Sequence, residues 1–303
     1  MSTDAKTPPF AYECFGQHIH SDFQFQEMDE TQAADPDLLI IRNKALLRPP
    51  EKTQMAQFLP DRQFFDFPDV AQAEITDKTR LAIALYPGAA EAMLGLPVFG
   101  PVMATMLHYR GYLVLHGSGL VIDGKLNVFV GHRGAGKSTT AACLVKRGHQ
   151  LFTDDLVVID LSDPSNPLAL PGYSAMKIAP DIAGRFQPEE AELLSNGGYP
   201  YPKERLRIRQ KQPLQCMPIK AIYELERADG AGLEALDFNP AMNTLMQHSY
   251  MLKFGNAPMA AGRGAAHFTQ VTRLASLVGV HRLKTPSSLA ALHQIEPLLT
   301  GAA

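Results

Sequence analysis

Gly131-His132-Arg133-Gly134-Ala135-Gly136-Lys137-Ser138 fills every position of the phosphate-loop pattern G-x-x-x-x-G-K-[ST]. Glycines at these places let the backbone turn sharply and aim successive N–H groups at phosphate oxygens, while a following helix adds its positive N-terminal end. Lys137 supplies a mobile charge for the outer phosphates, and the Ser138 hydroxyl is placed to ligate the magnesium that accompanies them. A chance glycine-rich turn would lack suitable neighbours. Here the apolar run 126–130 reads as a strand directly before the loop. Residues 139–147 read as a helix directly after it, stopped by Gly148 behind a basic last turn. The set expected to hold ATP with Mg2+ is therefore Gly131, Arg133, Gly134, Ala135, Gly136, Lys137, Ser138 and Thr139. His132 and Arg133 occupy variable positions, where solvent-facing side chains are the default.

Working outward, the next extended segment begins at Leu151 and carries Thr153-Asp154-Asp155 before the longer apolar run Leu156-Val157-Val158-Ile159. Strand, loop, helix and strand thus fit within about thirty residues, as a mononucleotide-binding unit requires. An ordinary phosphate-loop ATPase instead ends a long apolar strand with its acidic residue, so the order here is unusual. Neighbouring residues of an extended segment point to opposite sides, which allows Asp154 and Asp155 to be divided between a metal ion and an acceptor hydroxyl. The bland alternative is a turn-capping aspartate. Upstream, Leu115-His116-Gly117 follows an apolar strand. On the residues alone, His116 reads as a satisfied structural histidine.

The loop, the segment Val145-Lys146-Arg147-Gly148-His149-Gln150-Leu151-Phe152-Thr153-Asp154-Asp155 and Leu115-His116-Gly117 together resemble the HPr kinase/phosphorylase superfamily. Leu170-Pro171-Gly172-Tyr173 and Pro218-Ile219-Lys220-Ala221-Ile222-Tyr223 are similar to softer landmarks of its HPr-kinase-related branch, which includes kinases encoded with lasso-peptide genes. The resemblance implies an α/β, phosphoenolpyruvate-carboxykinase-like P-loop kinase domain over 111–303, preceded by a smaller β-rich region over 1–110. It further implies ATP-dependent phosphorylation of a serine hydroxyl on a peptide or small protein. In that scheme Asp155 is the base, Asp154 and Ser138 hold the metal, and His116 and Lys137 sit at the phosphates. The family often forms homo-oligomers. A Glu-x-Arg-Gly-type segment, carried by the bifunctional members after their acidic pair, is absent between Leu156 and Lys177, which argues against HPr as acceptor and against phosphorolysis. A small-molecule kinase and a non-catalytic ATP-sensing regulator stand as alternatives.

The bulk properties set the outer limits. A 303-residue chain with 46% apolar residues is ordinary for a globular core, and a formal net charge of −3 offers no global basic field for nucleic acid. Cys14, Cys143 and Cys216 lie far apart, without metal or disulfide spacing, and read as reduced thiols of a cytoplasmic protein. The polar start MSTDAKTPPF has no secretory pattern. The stretch 81–107 carries one charge, Glu91, but Pro87, Gly88, Gly95, Pro97, Gly100 and Pro101 break it, so no membrane span is expected.

Further elements are expected as strands at 23–25, 38–41, 64–67, 112–115, 119–122 and 221–225, with a hairpin turn at Asp123-Gly124. Helices are expected at 102–110, at 240–252 capped by Asn239, and at 268–278. Loops are expected at 163–172 and 196–202. The alternating cations Lys203, Arg205, Arg207, Arg209 and Lys211 would share one face of a strand, and Gly262-Arg263-Gly264 reads as a slack loop.

Overall fold

Residues 113–130 carry the apolar runs Leu113-Val114-Leu115, Leu120-Val121-Ile122 and Val128-Phe129-Val130 around the Asp123-Gly124 turn, and they form a long antiparallel pair buried on both faces. A computed structural model describes residues 8–32, 34–48, 55–163, 165–211, 213–260 and 263–301. Residues 1–7 of the polar start, Pro164 and Gly262 lie outside them. The chain divides into two compact units, one of residues 1–110 with 195–200, the other of 111–194 with 201–303.

The first unit holds strands β1 (Phe10–Cys14), β2 (Gln17–Ser21), β3 (Leu38–Arg42), β4 (Ala56–Phe58), β5 (Gln63–Phe67), β6 (Ala71–Asp77) and β7 (Arg80–Leu85). They form a seven-stranded sheet in the order β1-β2-β3-β7-β6-β5-β4. The expected strand at 23–25 is absent: Phe23 and Phe25 are buried, but their N–H groups bond to Ser21 Oγ and Tyr12 Oη, each at 2.9 Å. Side-chain acceptors thus take the place of a neighbouring strand. The Phe25 ring packs edge-on against Tyr12 and Phe99, with centroids 5.7 and 4.7 Å away. Helix α1 (Met103–Tyr109) is entered through a kink at Gly100 (φ −109°, ψ −110°), and Gly111 at φ +101° follows its end. The helical run Glu91–Tyr109 is long and apolar enough to cross a membrane by composition, and it is mostly buried within the protein.

The second unit contains β8 (Leu113–Ile122), β9 (Lys125–Val130), helix α2 (Lys137–Lys146), β10 (Gln150–Thr153), β11 (Leu156–Asp160), β12 (Leu168–Leu170), β13 (Ala175–Ile178), β14 (Ala191–Leu193), β15 (Glu204–Ile208), β16 (Met217–Ala228), β17 (Gly232–Ala235), α3 (Phe238–Gln247), α4 (Arg263–Leu277) and β18 (Gly279–Pro286). Eight strands make the main sheet, and β13-β15-β14 make a small second one. The expected strands 112–115 and 119–122 are one continuous ten-residue strand, because His116-Gly117-Ser118 keeps pairing on both sides. Asp123 (φ +50°) and Gly124 (φ +71°) form the tight turn into β9.

Both faces of the main sheet are covered. Leu120, Phe129, Tyr223 and Leu283 pack with Ala141 and Leu144 of α2, whereas Leu115, Val128, Val130, Val157 and Ile222 pack with Leu245 of α3 and Leu274 of α4. Full burial of one such leucine side chain stabilises by about 2 kcal/mol.

Several boundaries differ from expectation. The loop 163–172 contains β12, paired with β11 and β16. Helix α3 starts at Phe238 behind Asp237 and ends at Gln247, with a separate short turn at Tyr250–Phe254. Arg263 and Gly264 open α4 instead of forming a loop. The five cations do not share one strand face, because β15 spans only Glu204–Ile208 and leaves Lys203, Arg209 and Lys211 outside it. Arg205 is only 2% exposed, Arg209 pairs with Glu192 at 3.5 Å, and Lys203 reaches the cavity described next.

Candidate functional site

Strand pairing alone brings the separate motifs to one level of the sheet. Gly117 of β8 lies opposite Val130, the last residue before the phosphate loop, and its N–H donates to Asp155 O at 3.3 Å. Continuing across, Val130 lies beside Glu224 of β16, and Glu224 beside Arg282 of β18. The acidic pair sits at the irregularity between β10 and β11, which run consecutively along β8. Two residues there escape regular pairing, and Asp155 adopts φ +72°. A left-handed non-glycine conformation costs about 1–2 kcal/mol and is one aspartate tolerates. The Thr153 hydroxyl donates to Leu156 O at 2.7 Å and closes the turn.

A cavity of about 620 Å³ opens at this level, lined by His116, Gly117, Ser118, Asp154, Asp155 and by loop residues Gly131, His132, Arg133, Gly134, Gly136, Lys137, Ser138 and Thr139. Ala135 differs from the other residues of the expected nucleotide set: it does not line this cavity but packs toward the core beside α2. Gly134 and Gly136 have φ of +87° and +96°, so the loop needs residues without a Cβ. A Cβ on Gly131 would meet Leu225 O at 3.3 Å. Lys137 folds back over its own loop, donating to Gly131 O at 2.6 Å and His132 O at 3.3 Å. Arg227 of β16 donates to Gly134 O at 3.1 Å and anchors the loop tip.

The two carboxylates have unlike surroundings. Burial raises the Asp154 carboxyl above its ordinary range, although it accepts from Ser118 Oγ at 2.7 Å and from the Lys177 N–H at 3.3 Å. Burial would raise Asp155 too, but the Lys177 ammonium at 2.7 Å and His116 Nδ1 at 3.2 Å hold it far below the usual carboxylate range. Lys177 responds in kind: burial works to lower it, and Asp155 carries it above the ordinary lysine value. Burial lowers Lys137, while Asp154 and Asp155 pull it back. The His116 ring is held by Asp155 O at 3.1 Å and stands edge-on to Tyr250 at 5.8 Å.

Lys203, from the alternating cations, and four residues that no local motif announced complete the rim. Lys177, Lys203, Arg227, His248 and Lys253 all line the cavity. Burial brings Lys253 down to about 8, and its ammonium lies 4.0 Å from the Tyr250 ring centroid. Burial also brings His248 down to about 4, beside Glu224 at 3.4 Å. The hard oxygen donors of Ser138 and Asp154, both on the cavity wall, suit a magnesium ion. A cradle of loop amides, a lysine and two carboxylates can position a nucleoside triphosphate against a hydroxyl.

No family model matches the sequence, and no curated protein matches it. Among solved structures, the chain is similar to the HPr(Ser) kinase/phosphatase from Coxiella burnetii, at 14% identity over 62% of this chain and 93% of that one, with a TM-score of 0.29. A likeness so distant does not carry a functional conclusion.

Proposed function

We propose that this protein is a cytoplasmic ATP-dependent kinase that phosphorylates a serine hydroxyl of a peptide or small protein, without phosphorylase activity. The observation that supports it most is the convergence of the phosphate loop, Asp154, Asp155 and His116 on one cavity. Loop amides from Gly134 to Ser138 and the α2 N-terminus hold the phosphates, and Lys137 swings from its carbonyl partners to the outer ones. Ser138 and Asp154 hold magnesium, which supplies neutralisation of phosphate charge when bound. Asp155, kept ionised by Lys177 and His116, orients the acceptor hydroxyl and takes its proton late.

Incubation with γ-labelled ATP, Mg2+ and serine-containing peptides is expected to give phosphoserine, and Lys137→Ala to abolish it. Label in a low-mass product favours a metabolite kinase instead. Tight ATP binding with no transfer to any acceptor favours a nucleotide-sensing regulator and overturns the kinase reading.

A further inference from the structure

Beside the phosphate cradle, three side chains from different elements approach one another in an arrangement that phosphoryl transfer does not use. They are His132 in the first variable position of the loop, Glu224 in β16 and His248 just past the end of α3. Each offers one ligand atom, and the three atoms all lie within 4.8 Å of one another. His248 Nε2 stands 3.4 Å from Glu224 Oε1, and the His132 and His248 rings meet edge-on with centroids 5.2 Å apart. We propose that His132, Glu224 and His248 bind a single zinc-class divalent ion, at a position separate from the magnesium ligands Ser138 and Asp154.

The chemistry and the spacing both fit. Two imidazoles and a carboxylate are a donor set for zinc and its borderline neighbours, whereas magnesium takes oxygen donors. Bonds of about 2.0–2.1 Å in a tetrahedral centre place ligand atoms about 3.3 Å apart. The His248–Glu224 separation has that length already, and it is long for an N–H···O hydrogen bond, for which about 2.9–3.0 Å is usual. The supporting contacts are present as well. Thr244 Oγ1 donates to the other Glu224 oxygen at 3.2 Å, and the His248 carbonyl accepts from the His116 N–H at 2.8 Å. Arg282 lies 3.8 Å from Glu224 Oε2, the oxygen other than the one that faces His248. His132 is exposed and lines the cavity, so a fourth coordination position faces solvent. An ion here ties the exposed loop residue His132 to two side chains positioned by the sheet and the end of α3, and its occupancy restrains the loop.

The whole chain, stripped with chelator and free of nucleotide, is to be titrated with Zn2+ against a competing chromophore and with Co2+ by visible absorption. One Zn2+ equivalent per chain is expected, with Co2+ bands of a four-coordinate N/O site. His132→Ala, an exposed loop change that leaves the core intact, weakens that equivalent at least tenfold, and Glu224→Gln does the same. A Cys143→Ser, Cys216→Ser double variant keeps it. Absence of a stoichiometric equivalent, or one unaffected by His132→Ala and Glu224→Gln, overturns the proposal. No ATP enters this measurement, so its failure is distinguishable from failure of the kinase reading.

Discussion

At Asp155 a strained backbone and two cationic neighbours meet on one carboxylate. With its folded value depressed, it contributes stability that is present above the unfolded value of about 3.9 and lost as pH falls through the lower folded one. Asp155→Asn is expected to lower kcat by about 10²–10⁴-fold, while ATP affinity measured by calorimetry stays within a few-fold. Lys177→Met removes the main counterweight to burial, so the Asp155 carboxyl should titrate at higher pH and the acid limb of kcat/KM that it sets should move up with it. An unmoved limb would mean that another group titrates. The residues legible in the sequence were those in a local string, the loop and Thr153-Asp154-Asp155; His116 on its own read as a structural histidine, and only the resemblance carried by Leu115-His116-Gly117 pointed it to the phosphates. Lys177, Glu224, His248 and Lys253 were not legible, because each comes alone from a separate element and only pairing brings it to the cavity.

Strand β8 organises the site as an element, with the loop entry along one edge and the acidic pair along the other. Its central glycine cannot be enlarged: a Cβ on Gly117 would lie 2.6 Å from Phe129 O, a backbone atom in the paired strand. Gly117→Ala is expected to cost about 1–3 kcal/mol and to lower Tm by about 2–4 °C per kcal/mol, with activity falling because His116 and Ser118 shift. Gly230→Ala, where nothing lies within 4 Å, is the control and should change stability by less than about 0.5 kcal/mol. Sequence reasoning found β9, α2 and the hairpin turn from their spacing and breakers. It split β8 in two at His116-Gly117-Ser118, since a glycine-serine run carries no strand signal until partners on both sides hold it extended. It missed β12 for the same reason: three residues between prolines show no period, and their strand character comes from β11 and β16.

Across the whole molecule, a chain of formal charge −3 concentrates Lys137, Lys177, Lys203, Lys253 and Arg227 around one cavity. Such focusing draws anions locally without a global basic field. The KM for ATP is expected to rise as salt is raised well above physiological strength. Lys253, brought down by burial to about 8, loses its charge as pH rises through that value, so ATP binding should weaken between about pH 7 and about pH 9. Lys253→Met should flatten that dependence, and a slope that persists would assign it elsewhere. Composition and net charge held no sign of this concentration, which arises from the fold that brings separate elements to the cavity. The central claim is that the loop and both carboxylates act on one terminal phosphate. A crystal structure with magnesium and a non-hydrolysable ATP analogue tests it most directly. The expected result has Ser138 and Asp154 on the metal, Lys137 at the outer phosphates and Asp155 facing the open side of the terminal phosphate; a terminal phosphate directed away from Asp154 and Asp155 would contradict it.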